Sequence, residues 1–141
     1  MIMSEMNLSD LAAKMREIDI CMLMTHTDNG AIAGRPMSNN RDVEYDGDSY
    51  FFTWDKSRMT SDIERNSKVA LTFQGAKAFS ISLEGEAELV RDKEAFREHW
   101  TPDLDDWFKQ GVDTPGVVMI KVHATRAHYW DGMDEGEIKI E

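Results

Sequence analysis

From Ala78 to Val90 the chain alternates, with Phe79, Ile81, Leu83, Ala87 and Leu89 on one side and Ser80, Ser82, Glu84, Glu86 and Glu88 on the other. A period of two held over that length specifies a long strand with one face on a core and the other in water. The remaining segments must supply partners for it, so further strands and the turns that reverse them are expected along the chain.

Those segments are present. Leu8, Leu11, Ala12, Met15 and Ile18 recur at helical spacing behind Asn7 or Ser9, which predicts an opening amphipathic helix. Asp19 to Thr27 reads as a strand ending at Asp28-Asn29-Gly30, whose Asn-Gly pair suits a tight hairpin, so 31–45 is expected to return antiparallel. Tyr45-Asp46-Gly47-Asp48 marks a second turn into Ser49 to Trp54, which predicts a three-stranded meander. Ser57 to Asn66 reads as a short helix, with Ser61 and Glu64 as its capping box, Met59 and Ile63 on one face, and Asn66 closing it in the left-handed region. Val69 to Gln74 follows as a strand. After the long strand, Asp92 caps a helix carrying Phe96 and Trp100, and Thr101-Pro102 starts another that Gly111 stops. Gly116 to Ala124 alternates again, and Ala127 to Trp130 with Glu137 to Ile140 add one or two terminal strands. Six or seven strands in hairpins, with short helices between them, point to a mainly β protein, an antiparallel barrel rather than an alternating parallel sheet.

Length and charge bound the rest. At 141 residues the chain is read as a single domain, 1–141. A formal charge of -11 argues against nucleic acid as a partner, and any anionic ligand needs a local exception to it. No apolar run approaches the roughly 20 residues that span a bilayer, so no membrane is expected. The single Cys21 forms no disulfide within the chain, and the opening MIMSEMNLSD has neither the basic nor the apolar region of a leader, so a cytoplasmic location is expected.

The stretch richest in chemistry is Phe51 to Arg58, where a strand ends in hydroxyl and cationic groups just before a helix. Helix N-termini carry open N–H groups and partial positive charge, and an arginine adds a planar fork for phosphate oxygens. Arg35, Lys56, Arg58, Arg65 and Lys68 form the basic group of this acidic chain. The same hydroxyls also serve as caps, and Trp100, Trp107, Phe108 and Trp130 also serve as packing. His26, His99, His123 and His128 lack metal-ligand spacing, so no metal is expected, and Cys21 reads as a small buried hydrophobe.

In order, Asp19-Ile20-Cys21-Met22-Leu23-Met24-Thr25, Arg35-Pro36-Met37, Phe52-Thr53 with Ser57-Arg58, Gly85-Glu86-Ala87-Glu88, Trp107-Phe108 and Tyr129-Trp130-Asp131 resemble one family across nearly the whole chain. It is the general stress protein 26 branch of the pyridoxamine 5'-phosphate oxidase-like split barrels. The resemblance implies a six-stranded antiparallel split barrel of the FMN-binding type, a homodimer, and FMN in clefts at the subunit interface. Carried over by position, Arg35 and Arg58 pair with the phosphate, and Thr53 and Ser57 donate to it. Pro36, Met37 and Phe52 line the flavin ring, and Trp107 and Trp130 are candidates for its other side. Relatives often place a lysine two residues after the serine; this chain has Met59, which implies a missing phosphate partner and weaker FMN binding. The expected function is that of an FMN-dependent oxidoreductase using a small-molecule electron donor or acceptor. No residue is singled out as its acid or base. Two alternatives remain open, a flavin-binding module without turnover and a dimer that has lost its cofactor.

Overall fold

The alternating segment is strand β5 (Phe79–Val90) of the computed structural model, which describes residues 5–39 and 44–140. Helix α1 (Leu8–Met15) comes first, opened by a reciprocal cap. The Asn7 side chain accepts the Asp10 N–H at 2.9 Å, and the Asp10 carboxylate accepts the Asn7 N–H at 3.0 Å. Strands β1 (Ile20–His26) and β2 (Ile32–Ser38) follow as a hairpin, then β3 (Asp48–Trp54), helix α2 (Arg58–Arg65) and β4 (Lys68–Gln74). After β5 come helix α3 (Lys93–His99), two 3-10 turns (Pro102–Asp106 and Gly111–Asp113), β6 (Val117–Asp131) and β7 (Asp134–Lys139).

All pairings are antiparallel, along the path β2-β1-β4-β5-β6-β3, with β7 also on β6. The family of fold is the expected one, with seven strands among the described residues rather than six. The three-stranded meander is corrected: β3 pairs with β6, not with β2. β2 and β3 lie at opposite ends of the strand order, so no hairpin joins them. Part of the expected return strand, 40–43, lies outside the described residues. The long β6 makes this topology possible. β5 runs along one of its edges, while the other is shared by β3 along Val117 to His123 and β7 along Arg126 to Asp131.

Smaller corrections follow from backbone geometry. In the first hairpin only Gly30 has a positive φ (81°); the Gly30 N–H donates to Thr27, and the Thr27 N–H donates to Ala31. This is a three-residue loop with the glycine at its left-handed position, not a two-residue Asn-Gly turn. Ser57, not Ser61, caps α2, because it is the residue with extended backbone whose oxygen reaches the Thr60 N–H. Asn66 ends that helix in an extended conformation (φ -147°) rather than a left-handed one. The residues after Thr101 form 3-10 turns, and Gly111 opens the second of them instead of ending a helix.

Inward positions of the strands, including Leu23, Leu71, Phe73, Ile81, Leu83, Ile120 and Val122, form the main core. Leu11, Ala12 and Met15 of α1 and Met59 and Ile63 of α2 pack into it. Each large side chain so buried contributes about 1.5–3 kcal/mol. A second cluster, Phe96, Phe108, Val117 and Met119, fixes α3 and the 3-10 turns on the other side of β6.

Candidate functional site

The sheet curls until its two terminal strands, β2 and β3, face one another, and among the described residues no ladder joins them. Between them lies a cavity of about 720 Å³. Pro36, Met37 and Ser38 of β2 form one wall, Phe52, Thr53 and Trp54 of β3 the other, and Trp107 with Phe108 of the 3-10 region stand over it. The lining also holds Arg16, Asp19, Asn39, His99, Thr101 and Asp103, so aromatic walls able to take a flat ring system alternate with about as much polar surface.

The aromatic residues divide by their contacts. Trp100 packs edge-on to Phe52 at 4.8 Å and tilts against Phe108 at 5.6 Å, while its indole N–H donates to Asp105 at 2.9 Å. Its faces are occupied. Trp107, by contrast, is 74% exposed, so a broad apolar ring borders the cavity without a partner on its outer side. Trp130 is elsewhere. It pairs across from Ser80, stacks on the His128 ring at 4.2 Å, and lies eleven residues along β6 from Met119, the partner of Phe52. At about 3.3 Å per residue that is roughly 35 Å along the strand.

The cationic residues gather at α2. Arg58 is its first residue, with a side chain 69% exposed and 4.0 Å from Asp28 of the hairpin loop. An ion pair so open to water is weak and exchangeable. Arg35 shares a face of β2 with the cavity residue Met37, and its guanidinium donates to the Thr25 hydroxyl at 2.7 Å and lies 3.5 Å from Asp62. Asp62 stands one helical turn after Arg58, on the same helix face. Both arginines are thus attached to α2, Arg58 as its first residue and Arg35 through Asp62, and the helix begins four residues after the cavity residue Trp54. The Ser57 oxygen accepts the Thr60 N–H at 3.2 Å and lies 3.0 Å from the Thr60 hydroxyl, which donates to the Trp54 carbonyl. Ser57 thus fixes where the first turn of α2 begins.

Of the residues singled out in the sequence, Pro36, Met37, Phe52, Thr53 and Trp107 share the cavity lining, whereas Arg35, Ser57, Arg58 and Trp130 do not line it: Arg35 is tied to α2 through Asp62, and Ser57 and Arg58 begin that helix. Met59 occupies the core, 6% exposed, so the position where the resemblance leads one to expect lysine faces inward here. The sequence reading passed over Tyr50 and His99, which line the cavity with their rings stacked at 3.5 Å. Burial lowers the His99 pKa and, with Asp48 and Asp46 nearby, raises that of Tyr50. It also missed Asp62, 1% exposed, although an aspartate next to Ile63 on the buried stripe of a helix is a readable signal. The Cys21 thiol is pushed up to about 12 by burial, so it is not a nucleophile at neutral pH. No helix among the described residues is long and apolar enough to cross a membrane, and none of them form a three-residue His, Cys, Asp or Glu cluster suited to a metal.

Comparison with known proteins gives the fold its relatives. The family model described as "Pyridoxamine 5'-phosphate oxidase like" matches residues 7–140. A protein related to general stress protein 26 from Clostridium acetobutylicum superimposes with a TM-score of 0.83 at 21% identity, covering 94% of each chain. The general stress protein 26 of Bacillus anthracis gives 0.77 at 20% identity, covering 96% of this chain and 100% of that one. A heme binding protein from Mycobacterium smegmatis gives 0.76 at 12% identity, over 98% of this chain and 60% of that one. At these identities the likeness is one of fold. Among curated proteins, Neurospora crassa protein bli-3 is 26% identical over 118 residues, 77% of this chain and 49% of bli-3, so the chain spans about half the length of that relative.

Proposed function

Because the chain belongs to the pyridoxamine 5'-phosphate oxidase like family, we propose that it is a cytoplasmic, single-domain flavoprotein that holds FMN between two copies of itself and works as an oxidoreductase with a small-molecule partner. The observation that carries this reading is the cavity between the unpaired ends β2 and β3, bordered by aromatic walls, with Arg35 on the same strand face as its lining residue Met37 and Arg58 four residues beyond its lining residue Trp54. The donor set fits both parts of such a ligand: Pro36, Met37 and Phe52 for the flat ring, and Thr53, Arg58 and Arg35 for the phosphate, with Ser57 joining them on exchanging its O–H bond to Thr60 or its N–H bond to the Trp54 carbonyl. When bound, FMN supplies hydride and electron transfer, which needs no protein nucleophile.

The chain's own residues position and shield. Trp107 stands ready to cover the ring, and Phe108 and Trp54, 4.8 Å apart at 60°, stiffen the wall against which it would lie. Arg58 exchanges its weak tie to Asp28 for a phosphate oxygen, and the positive end of α2 adds to that attraction. Trp130 does not line the cavity of its own protomer, so a tryptophan from that position reaches a ring there from a second copy.

Titration with FMN and riboflavin, followed by visible absorption and ring fluorescence, tests this. FMN should bind more tightly than riboflavin, and Arg58→Ala should weaken FMN about tenfold while leaving riboflavin nearly unchanged. Equal losses for the two ligands remove Arg58 from the phosphate, and no spectral change at high FMN ends the flavin reading altogether. Anaerobic addition of a nicotinamide donor then separates the enzyme, whose flavin is reduced steadily, from an inert flavin-binding module.

A further inference from the structure

We propose that Asp62 is a positioning residue for the anion-binding end of the cavity, holding Arg35 so that its open edge faces an incoming phosphate. The inference rests on the phosphate reading above and names the residue that makes it work. Asp62 points from α2 onto the hairpin of β1 and β2. One of its oxygens accepts the Thr25 hydroxyl at 2.9 Å and lies 3.5 Å from Nη2 of Arg35. Nη1 of Arg35 donates to the same Thr25 oxygen at 2.7 Å, which closes a triangle of carboxylate, hydroxyl and guanidinium. The other Asp62 oxygen accepts Nη2 of Arg65 at 2.7 Å.

Two features distinguish this cluster from an ordinary buried ion pair. Two guanidinium groups share one carboxylate, which leaves a unit of positive charge in a chain of formal charge -11. This is the local exception an anionic ligand requires. Secondly, the Arg35 side chain remains 22% exposed while Asp62 is 1% exposed, so the carboxylate is fully withdrawn from water but the arginine keeps one side open. Apolar residues often stabilise a fold as well as a buried ion pair does, so stability alone gives little reason for an aspartate between Met59 and Ile63. Fixing the orientation of Arg35, which shares a strand face with the cavity residue Met37, does give one.

Asp62→Asn separates positioning from charge balance, because the two predict opposite signs. If the carboxylate only neutralises arginines, its loss adds positive charge and tightens FMN. If it positions Arg35, FMN affinity should fall about tenfold or more while riboflavin stays within about twofold. The measurement is the ratio of FMN to riboflavin dissociation constants at low salt, on protein whose thermal melt shows it folded. Thr25→Val, which keeps the carboxylate and removes the bridging hydroxyl, should move the ratio in the same direction and serves where Asp62→Asn does not fold. A ratio that holds or improves in the folded variant overturns the positioning role alone. Wild-type protein with no preference for FMN over riboflavin overturns the phosphate reading and this inference together.

Discussion

A cation at position 59 has nowhere to go. Met59 is 6% exposed and packs with Ile63 into the main core, so Met59→Lys places an ammonium among apolar side chains. The cost is about 2–4 kcal/mol, enough to lower the melting temperature by roughly 10 °C. A melt within a degree or two of wild type shows that the lysine has escaped to the surface and that the position is open after all. The residue thus carries a packing role where the sequence resemblance marked only a missing phosphate charge. Arg35 was legible in the opposite sense: its place beside Pro36 is in the sequence, but its ties to Thr25 and Asp62 are long-range, across 10 and 27 positions, and no local pattern encodes them.

Among the elements, the bulge between β5 and β6 decides whether one strand can serve two neighbours. The register shifts between Glu84 and Gly85, leaving Thr125 opposite no partner, and there β6 passes from β3 to β7. A Cβ on Gly85 would sit 2.1 Å from the His123 carbonyl oxygen, and that oxygen belongs to backbone that cannot swing aside. Gly85→Ala should therefore destabilise by about 1–3 kcal/mol, read as a melting point lower by roughly 5–10 °C. An unchanged melt would mean that the bulge relaxes freely. The alternation of β5 was readable because each residue declares its own face. The bulge was not, since it depends on two strands meeting nearly forty positions apart, and neither was the pairing of β3 with β6, for which the turn at Asp46-Gly47 gave the wrong neighbour. The strands bordering the cavity were legible, but not that they are the two free ends of one sheet.

At the scale of the whole molecule, the outer face of β1 and β2 is the feature a single copy leaves unexplained. Ile20 (52% exposed), Met22 (36%) and Ile32 (68%) lie on that side, opposite the inward Cys21 and Leu23. Trp107 adds a further exposed ring. An apolar surface of this kind favours association, whereas two chains of formal charge -11 repel one another. Salt separates the two forces. Added ions screen the repulsion over a Debye length of about 10 Å at 0.1 M and leave apolar burial intact. Self-association should therefore strengthen as ionic strength rises from about 10 mM to 0.5 M, while attraction of a phosphate to Arg35 and Arg58 weakens over the same range. Sedimentation velocity at several protein and salt concentrations reads the first effect, and FMN titration at saturating dimer reads the second. A chain that stays monomeric at every salt concentration leaves Trp107 uncovered and Trp130 beyond reach of any cavity. The two-copy site is then wrong, whatever the affinity for FMN. A dimer that loosens with salt is held by charge rather than by apolar contact, and the face of β1 and β2 is then not what joins the copies.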